Sequence, residues 1–267
     1  MEHQKKDGSL QNLLPSNTEI MGWQYDGKWR VKFYDKAKNE NFLLPDFYTT
    51  GQQTLGYNLS VEGESAGIMG AALQPGTLWQ IFKKPVADFK NSIHLTYDIF
   101  KAFNANYYLN EYTLAGNETH RLEVMIAFYE QLMSAIQWKN DIVFDVVNFI
   151  FKQKGALKVA DILEIYRLNE KYLQRNFKKI IGTTASEFIR NVRFANVFTQ
   201  LSLSEKEQNK EFLAMLYNYY DFSHFQKDYQ YYFRNLPSKQ LITRFLLFRE
   251  LVEKDPYLLQ SQKNFER

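Results

Sequence analysis

Apolar positions along this 267-residue chain change their spacing part-way through. Between about residues 20 and 75 they form short runs broken by turn residues, as in IMGWQYDGKWRVKFYD, where Asp26-Gly27 separates two aromatic-rich stretches and predicts a hairpin. TLGYNLSVEGESAGIMGAALQPG repeats that pattern. After Pro85 the intervals lengthen to three and four. One or two helices are expected within 88–103, and Leu122, Ile126, Tyr129, Met133 and Ile136 predict a helix over 117–136. From Ile142 onward the pattern is helical throughout. The fold class expected is therefore α+β: a strand-rich mixed N-terminal domain over 1–141, followed by an all-α domain over 142–267.

Capping chemistry marks the helix starts in the second part. Thr184-Ala-Ser-Glu187 and Ser204-Glu-Lys-Glu207 both match the capping box, in which hydroxyl and carboxylate satisfy first-turn N–H groups. Asn169 and Asp221 stand where N-caps open two further helices. A short helix from Val159 to about Ile165, a turn and a second helix from Glu170 to Ile181 follow at helix-turn-helix spacing. The plan recurs 52 residues later, as Phe212–Leu216, a turn over 217–221, and Phe222–Phe233. Leu173, Phe177 and Ile180 correspond to Phe225, Tyr229 and Tyr232, and Arg175 corresponds to Lys227. A long helix from Ala185 to about Leu201 is expected to join the two copies.

The second helix of such a unit fits the major groove of duplex DNA, its apolar stripe on its own core and its polar face toward base edges. In the first copy that face carries Lys171, Gln174, Arg175 and Lys178, which lie together at spacings of three, four and seven. Arg reads guanine bidentately and Gln reads adenine, while Lys178 is placed to neutralise phosphate. The second copy offers Ser223, His224 and Lys227. Charge agrees: residues 142–245 hold 16 basic and 10 acidic side chains, a net of +6, against −3 for the remainder with 17 and 20. Two helices on one rigid linker reach successive grooves about 34 Å apart.

Taken together, VADILEIYRLNEKYLQRNFKKIIGTTASEFIRNVRF and FLAMLYNYYDFSHFQKDYQYYFRNLPSKQ resemble the C-terminal DNA-binding domain of AraC/XylS-type transcription regulators. Tyr172-Leu-Gln-Arg-Asn-Phe-Lys-Lys179, Gly182, Glu187-Phe-Ile-Arg190 with Arg193, and Asp221-Phe-Ser-His-Phe225 ending at Pro237-Ser238 carry the likeness over about residues 145–245. The resemblance implies a transcription factor with two helix-turn-helix units and an N-terminal sensing or dimerising domain. It places base-reading positions on Lys171, Gln174 and Arg175, and on Phe222, Ser223, His224 and Lys227. GIMGAALQPGTLWQIFKKPVADFKN resembles an uncharacterised N-terminal domain found in some such regulators. Arg167 and Asn218 stand where the family usually has turn glycines, Ala185 where Pro is usual, and Arg234 where Gly is usual. Phe222 replaces a polar residue; its ring either contacts a thymine methyl or packs.

Other chemistries fare less well. No apolar run approaches the roughly 20 residues of a membrane span and the N-terminus lacks a signal-peptide h-region, so a cytoplasmic protein without membrane partners is expected. The absence of cysteine excludes disulfides, thiolate metal sites and a Cys nucleophile. Gly63-Glu-Ser-Ala-Gly67 matches a nucleophile elbow, but the residues after it are too short and glycine-broken for the helix that motif needs. His3, His94, His120 and His224 show no metal-ligand spacing. No enzyme activity and no cofactor are expected. Trp23, Tyr25, Trp29, Phe33, Tyr34, Phe47, Tyr48 and Tyr57 either fill a core or line a pocket for a small-molecule effector. Trp79 and Phe82 carry the same ambiguity. The 117–136 stripe packs on its own domain or in a homodimer. The rival to a DNA regulator is a protein-interaction module with a degenerate helix-turn-helix pair.

Overall fold

The computed structural model describes residues 3–6, 11–13, 15, 17–33, 41–203 and 217–233. Tyr34, the Ser204–Glu207 capping box, the 212–216 helix, Arg234, Pro237-Ser238 and the C-terminal tail lie outside the described residues. The described residues hold nine strands, eight of them before the first helix and β9 after it: β1 (His3–Lys6), β2 (Gln11–Leu13), β3 (Glu19–Tyr25), β4 (Lys28–Phe33), β5 (Asn41–Leu43), β6 (Phe47–Thr50), β7 (Tyr57–Glu62), β8 (Ser65–Leu73) and β9 (Ile93–Leu95). They form two antiparallel sheets, one ordered β1-β8-β3-β6-β9 and the other β2-β7-β4-β5. The helices are α1 (Thr77–Phe82), between β8 and β9, and then α2 (Thr96–Ile99), α3 (Ala105–Leu114), α4 (Glu118–Ser134), α5 (Ile142–Lys152), α6 (Val159–Ile165), α7 (Glu170–Ile181), α8 (Ala185–Leu203) and α9 (Phe222–Phe233). Strand-rich first, helical second, the chain is α+β. Among the described residues no helix is long and apolar enough to cross a membrane.

The first sheet is covered on both faces. Trp29, Val31, Phe33, Leu59 and Val61 of the second sheet pack with Tyr48 and Ala66 of the first. Met21, Trp23, Tyr25, Phe47 and Met69 point the other way, under α3 and α4. Period-two alternation puts Met21, Trp23 and Tyr25 on one face and Ile20, Gly22 and Gln24 on the other, toward the second sheet, so β3 is covered on both sides, with the buried Gln24 side chain bonded to Leu44 O and to the Trp29 N–H. Trp23 stacks on Phe47 at 3.5 Å between centroids, with Phe128 edge-on at 5.6 Å. The Tyr129 hydroxyl accepts from Trp23 Nε1 and donates to the Met21 carbonyl, pinning α4 to β3. The described strand aromatics are therefore chiefly core.

Two local expectations are corrected. Asp26-Gly27 is not a hairpin turn: β3 pairs with β6 and β8, while β4 pairs with β5 and β7. The turn is a corner that carries the chain from one sheet to the other, and the turn between β7 and β8 is a second such corner. As expected, residues 88–103 hold a helix, the four-residue α2, with short 3-10 turns beside it, and Ile93–Leu95 extend along β6 as β9. In α4 the buried face is Val124, Met125, Phe128 and Leu132, whereas Leu122 and Ile126 are 43% and 45% exposed. Tyr129 and Met133 of the predicted stripe are half-buried against this core, while Leu122 and Ile126 lie on the outer side of the helix.

One hydrophobic core runs across residue 142. It joins Trp23, Phe128 and Leu132 to Val143, Val146 and Ile150 of α5 and to Leu173, Phe177 and Ile180 of α7. A second core, formed by Phe194, Val197 and Phe198 of α8 with Phe225, Tyr229 and Tyr232 of α9, stands apart from it. The helix α8 contributes residues to both.

Candidate DNA interface

The first unit, α6 and α7, is set by caps. The Lys158 N–H donates to Asp161 at the start of α6, and the Asn169 side chain accepts from the Lys171 and Tyr172 N–H groups at the start of α7. Gly182 closes α7 in the left-handed conformation, φ 86°. Leu173, Phe177 and Ile180 are essentially fully buried. That leaves Lys171, Gln174, Arg175 and Lys178 on the opposite, exposed face, joined by Lys179. None of the four cations forms an ion pair with another described residue. Gln174 donates to Glu170 one turn earlier, at 2.8 Å.

The turn before α7 holds Arg167 at φ 51°, and the turn before α9 holds Asn218 at φ 65°. Both positions therefore need the left-handed conformation that glycine adopts freely. Asn accepts it readily; for Arg the strain is about 1–2 kcal/mol. Arg167→Gly is expected to raise stability by about 0.5–1 kcal/mol after allowing for glycine's freer unfolded chain, a gain of about 1–4 °C in Tm. Thermal melts check this, and an unchanged or lower Tm contradicts the strain.

The capping box of α8 forms as its sequence predicts. Glu187 N–H donates to Thr184 Oγ1, and Glu187 accepts from the Thr184 N–H and from the Thr183 and Thr184 hydroxyls. Lys90 adds an ion pair at 2.8 Å. Burial favours the neutral acid, yet the Lys90 and Thr183 hydrogen bonds outweigh it and hold the Glu187 carboxyl below its usual range.

In the second unit Asp221 caps α9 by accepting from the His224 N–H at 2.7 Å. Phe225, Tyr229 and Tyr232 are buried, while Ser223, His224 and Lys227 are exposed. Phe222 is half-buried, its ring stacked on Phe225 at 5.4 Å, so it packs within its own unit. A polar network seats α9 on α8: buried Asp228 accepts from Arg190 at 2.7 Å and from the Tyr219 hydroxyl at 2.7 Å. Burial first, then the facing Asp228, pushes the Tyr219 hydroxyl above its usual range, so it remains a donor. Sequence reading missed this network, although an acid three residues after Phe225, on the apolar side of α9, is a signal for a buried partner.

Other candidates are dispersed. Ser65 opens β8 and pairs with Lys6 of β1, so a strand, not a helix, follows the GESAG turn. His94 contacts Ser92, and His120 and His224 stand on separate helices. Among the described residues no group of three His, Cys, Asp or Glu is placed to hold a metal. Between the sheets lies a cavity of about 30 Å³, bordered by Phe33, Tyr48, Thr50, Gln53, Tyr57 and Ile93. That is room for about two waters.

No protein-family model and no curated protein matches the sequence. Among solved structures, the chain is similar to ToxT from Vibrio cholerae O395, at 13% identity and a TM-score of 0.48 over 91% of this chain and 96% of that one. It is similar also to wild-type ToxT of strain SCE256 with unsaturated fatty acid bound, at 12% identity and 0.47 over 90% and 93%. A third, ToxT from V. cholerae O395 bound to (E)-4-(8-methylnaphthalen-1-yl)but-3-enoic acid, gives 13% and 0.49 over 91% and 97%.

Proposed function

We propose that the chain is a sequence-specific, double-stranded-DNA-binding transcription regulator of the AraC/XylS type. One observation supports it above the others: α7 and α9 repeat the same capped, half-buried design 52 residues apart, on either side of the 19-residue α8. A helix of that length spans about 28 Å, close to the roughly 34 Å between successive major grooves. In this reading Lys171, Gln174, Arg175 and Lys178 supply most of the readout, and Ser223, His224 and Lys227 a weaker share. Phe222, packed on Phe225, contributes little to base contact.

The boundary we propose between sensing and DNA-binding parts is 141/142, where Asp141 accepts from the Val143 N–H and caps α5. Leu114, Leu122 and Ile126, exposed on the α3–α4 pair, are the candidate homodimer surface. The inter-sheet cavity is the candidate effector position, and the sheets must part for anything larger than water to enter. The protein-interaction alternative is favoured by Tyr220, 88% exposed beside the start of α9.

The test is enrichment of a randomised duplex pool on the full chain at two salt concentrations. The expected result is one motif of about 15–20 base pairs, with log affinity falling steeply against log salt. Enrichment of no motif, with binding lost near physiological salt, transfers the assignment to the protein-interaction alternative.

A further inference from the structure

A loop of the strand-rich part meets each recognition helix: one at the C-terminal end of α7, the other near the last described residues of α9. The Val86 N–H donates to the Lys179 carbonyl in the last turn of α7, at 3.1 Å, and the Gly56 N–H donates to the Tyr232 carbonyl in the last turn of α9, at 3.3 Å. The last-turn carbonyl of Lys179 lies past the last intrahelical bond of α7, which Gly182 closes, so the Val86 bond uses an acceptor that this helix leaves open. Both approaches are close. A Cβ on Gly56 would lie 2.8 Å from the Tyr232 carbonyl oxygen, and one on Gly182 would lie 3.0 Å from that of Val86.

The two loops are tied to each other. Gly51 N–H donates to Phe89 O at 3.2 Å, and Asn91 N–H donates to Gln52 O at 3.0 Å. The Asn91 side chain then accepts from the Thr54 N–H at 2.7 Å and donates to Thr54 Oγ1 at 2.9 Å. Lys90, next in the chain, holds Glu187 at the start of α8. One cross-tied pair of loops thus touches α7, α8 and α9.

The two helices need such a tie. α7 belongs to the core shared with the sheets, and α9 belongs to a separate core on α8. Among the described residues, α8 and the hydrogen bonds from Arg193 to Gly155 O and Asn218 O also link them.

We propose that loops 51–56 and 86–92 form a clamp that fixes the angle between the two recognition helices, with Asn91 as its positioning residue. Its meaning for DNA rests on the function proposed above, but the geometry does not. Anything that moves either loop, including entry beside Thr50, Gln53 or Ile93 of the inter-sheet cavity, changes how the two helices present themselves together.

The absence of native cysteine allows a direct test. Glu170→Cys and Gln230→Cys in the full chain put one spin label on each recognition helix, and pulsed dipolar spectroscopy gives the distance distribution between them. A single narrow distribution is expected in this parent. Asn91→Ala is expected to broaden it, and Gly56→Ala to shift its mean as the added methyl presses on the Tyr232 carbonyl. Melting curves confirm that each variant is folded; Asn91→Asp, which keeps the acceptor for the Thr54 N–H, serves as a milder second variant and is expected to restore most of the narrowness. Distributions unchanged from the parent in folded Asn91→Ala and Gly56→Ala overturn the clamp. In duplexes that vary the spacing between two half-motifs, Asn91→Ala is expected to accept more spacings and to bind the preferred one about tenfold more weakly, as when the competent arrangement falls to about a tenth of the population. If the parent enriches no duplex, the DNA assignment falls and the label distances still decide the clamp.

Discussion

Replacing Lys171 and Arg175 together by alanine is expected to weaken binding to the enriched duplex by about 2–5 kcal/mol, roughly 30-fold to several thousand-fold. The salt dependence is expected to flatten by up to about two units of slope, about one for each phosphate that is no longer neutralised. Both side chains leave one face of α7 at i and i+4, with the first turn held by Asn169. Neither is engaged in an ion pair with another described residue, so neither has to break one to reach DNA. Gln174, between them, must give up its bond to Glu170, and Gln174→Ala is expected to cost less. Because the replaced side chains are exposed, Tm is expected to stay close to that of the parent. Anisotropy titrations at several salt concentrations measure both effects. Unchanged affinity in the double variant removes α7 as the reading helix.

The helical half was legible because its signals are local. Asn169, Asp221 and the Thr184–Glu187 pair each act within one turn, and α7, α8 and α9 start where those residues place them. The apolar stripes of α7 and α9 predicted which side is buried, and with it the exposed set from Lys171 to Lys178. The strand-rich half was legible only as strands. Asp26-Gly27 has the composition of a hairpin turn and serves as a corner between sheets, a difference decided by partners distant in sequence. The α4 stripe misled for a related reason: Leu122 and Ile126 continue an apolar row, but Val124, Met125 and Phe128 meet the sheet. The ties from Val86 and Gly56 to the helix ends are backbone bonds and leave no side-chain signature. Only the close approach at Gly56 and Gly182 marks their positions, and a glycine alone does not name its neighbour.

Stability is expected to fall as pH rises from about 5 to about 8, and Glu19 is expected to account for most of that slope. Glu19 opens β3 with its side chain almost wholly buried, its two carboxyl oxygens accepting from the Gly76 and Leu78 N–H groups at 2.8 and 2.7 Å. It thereby secures the start of α1, whose leading turn lies against Phe144 of α5 and Ile180 and Ile181 of α7. Burial raises its carboxyl from 4.5 to about 8, with the backbone hydrogen bonds pulling the other way. The native state therefore binds more protons than the unfolded chain between those values, and stability declines with pH. This contribution is fully present below pH 4.5 and is lost as pH rises through about 8. A shift of that size corresponds to something on the order of 4–5 kcal/mol across the window, at about 1.4 kcal/mol per unit. Glu19→Gln removes the titration but turns an amide N–H toward a backbone N–H, costing about 1–3 kcal/mol at low pH. Denaturant titrations from pH 5 to 9 are expected to give a sloping profile for the parent and a flatter one for the variant, the two crossing between about pH 5 and about pH 7 and the variant being the more stable at pH 8. Parallel profiles would show that this carboxyl is ionised in the fold throughout, and that the N–H groups of the α1 turn outweigh its burial.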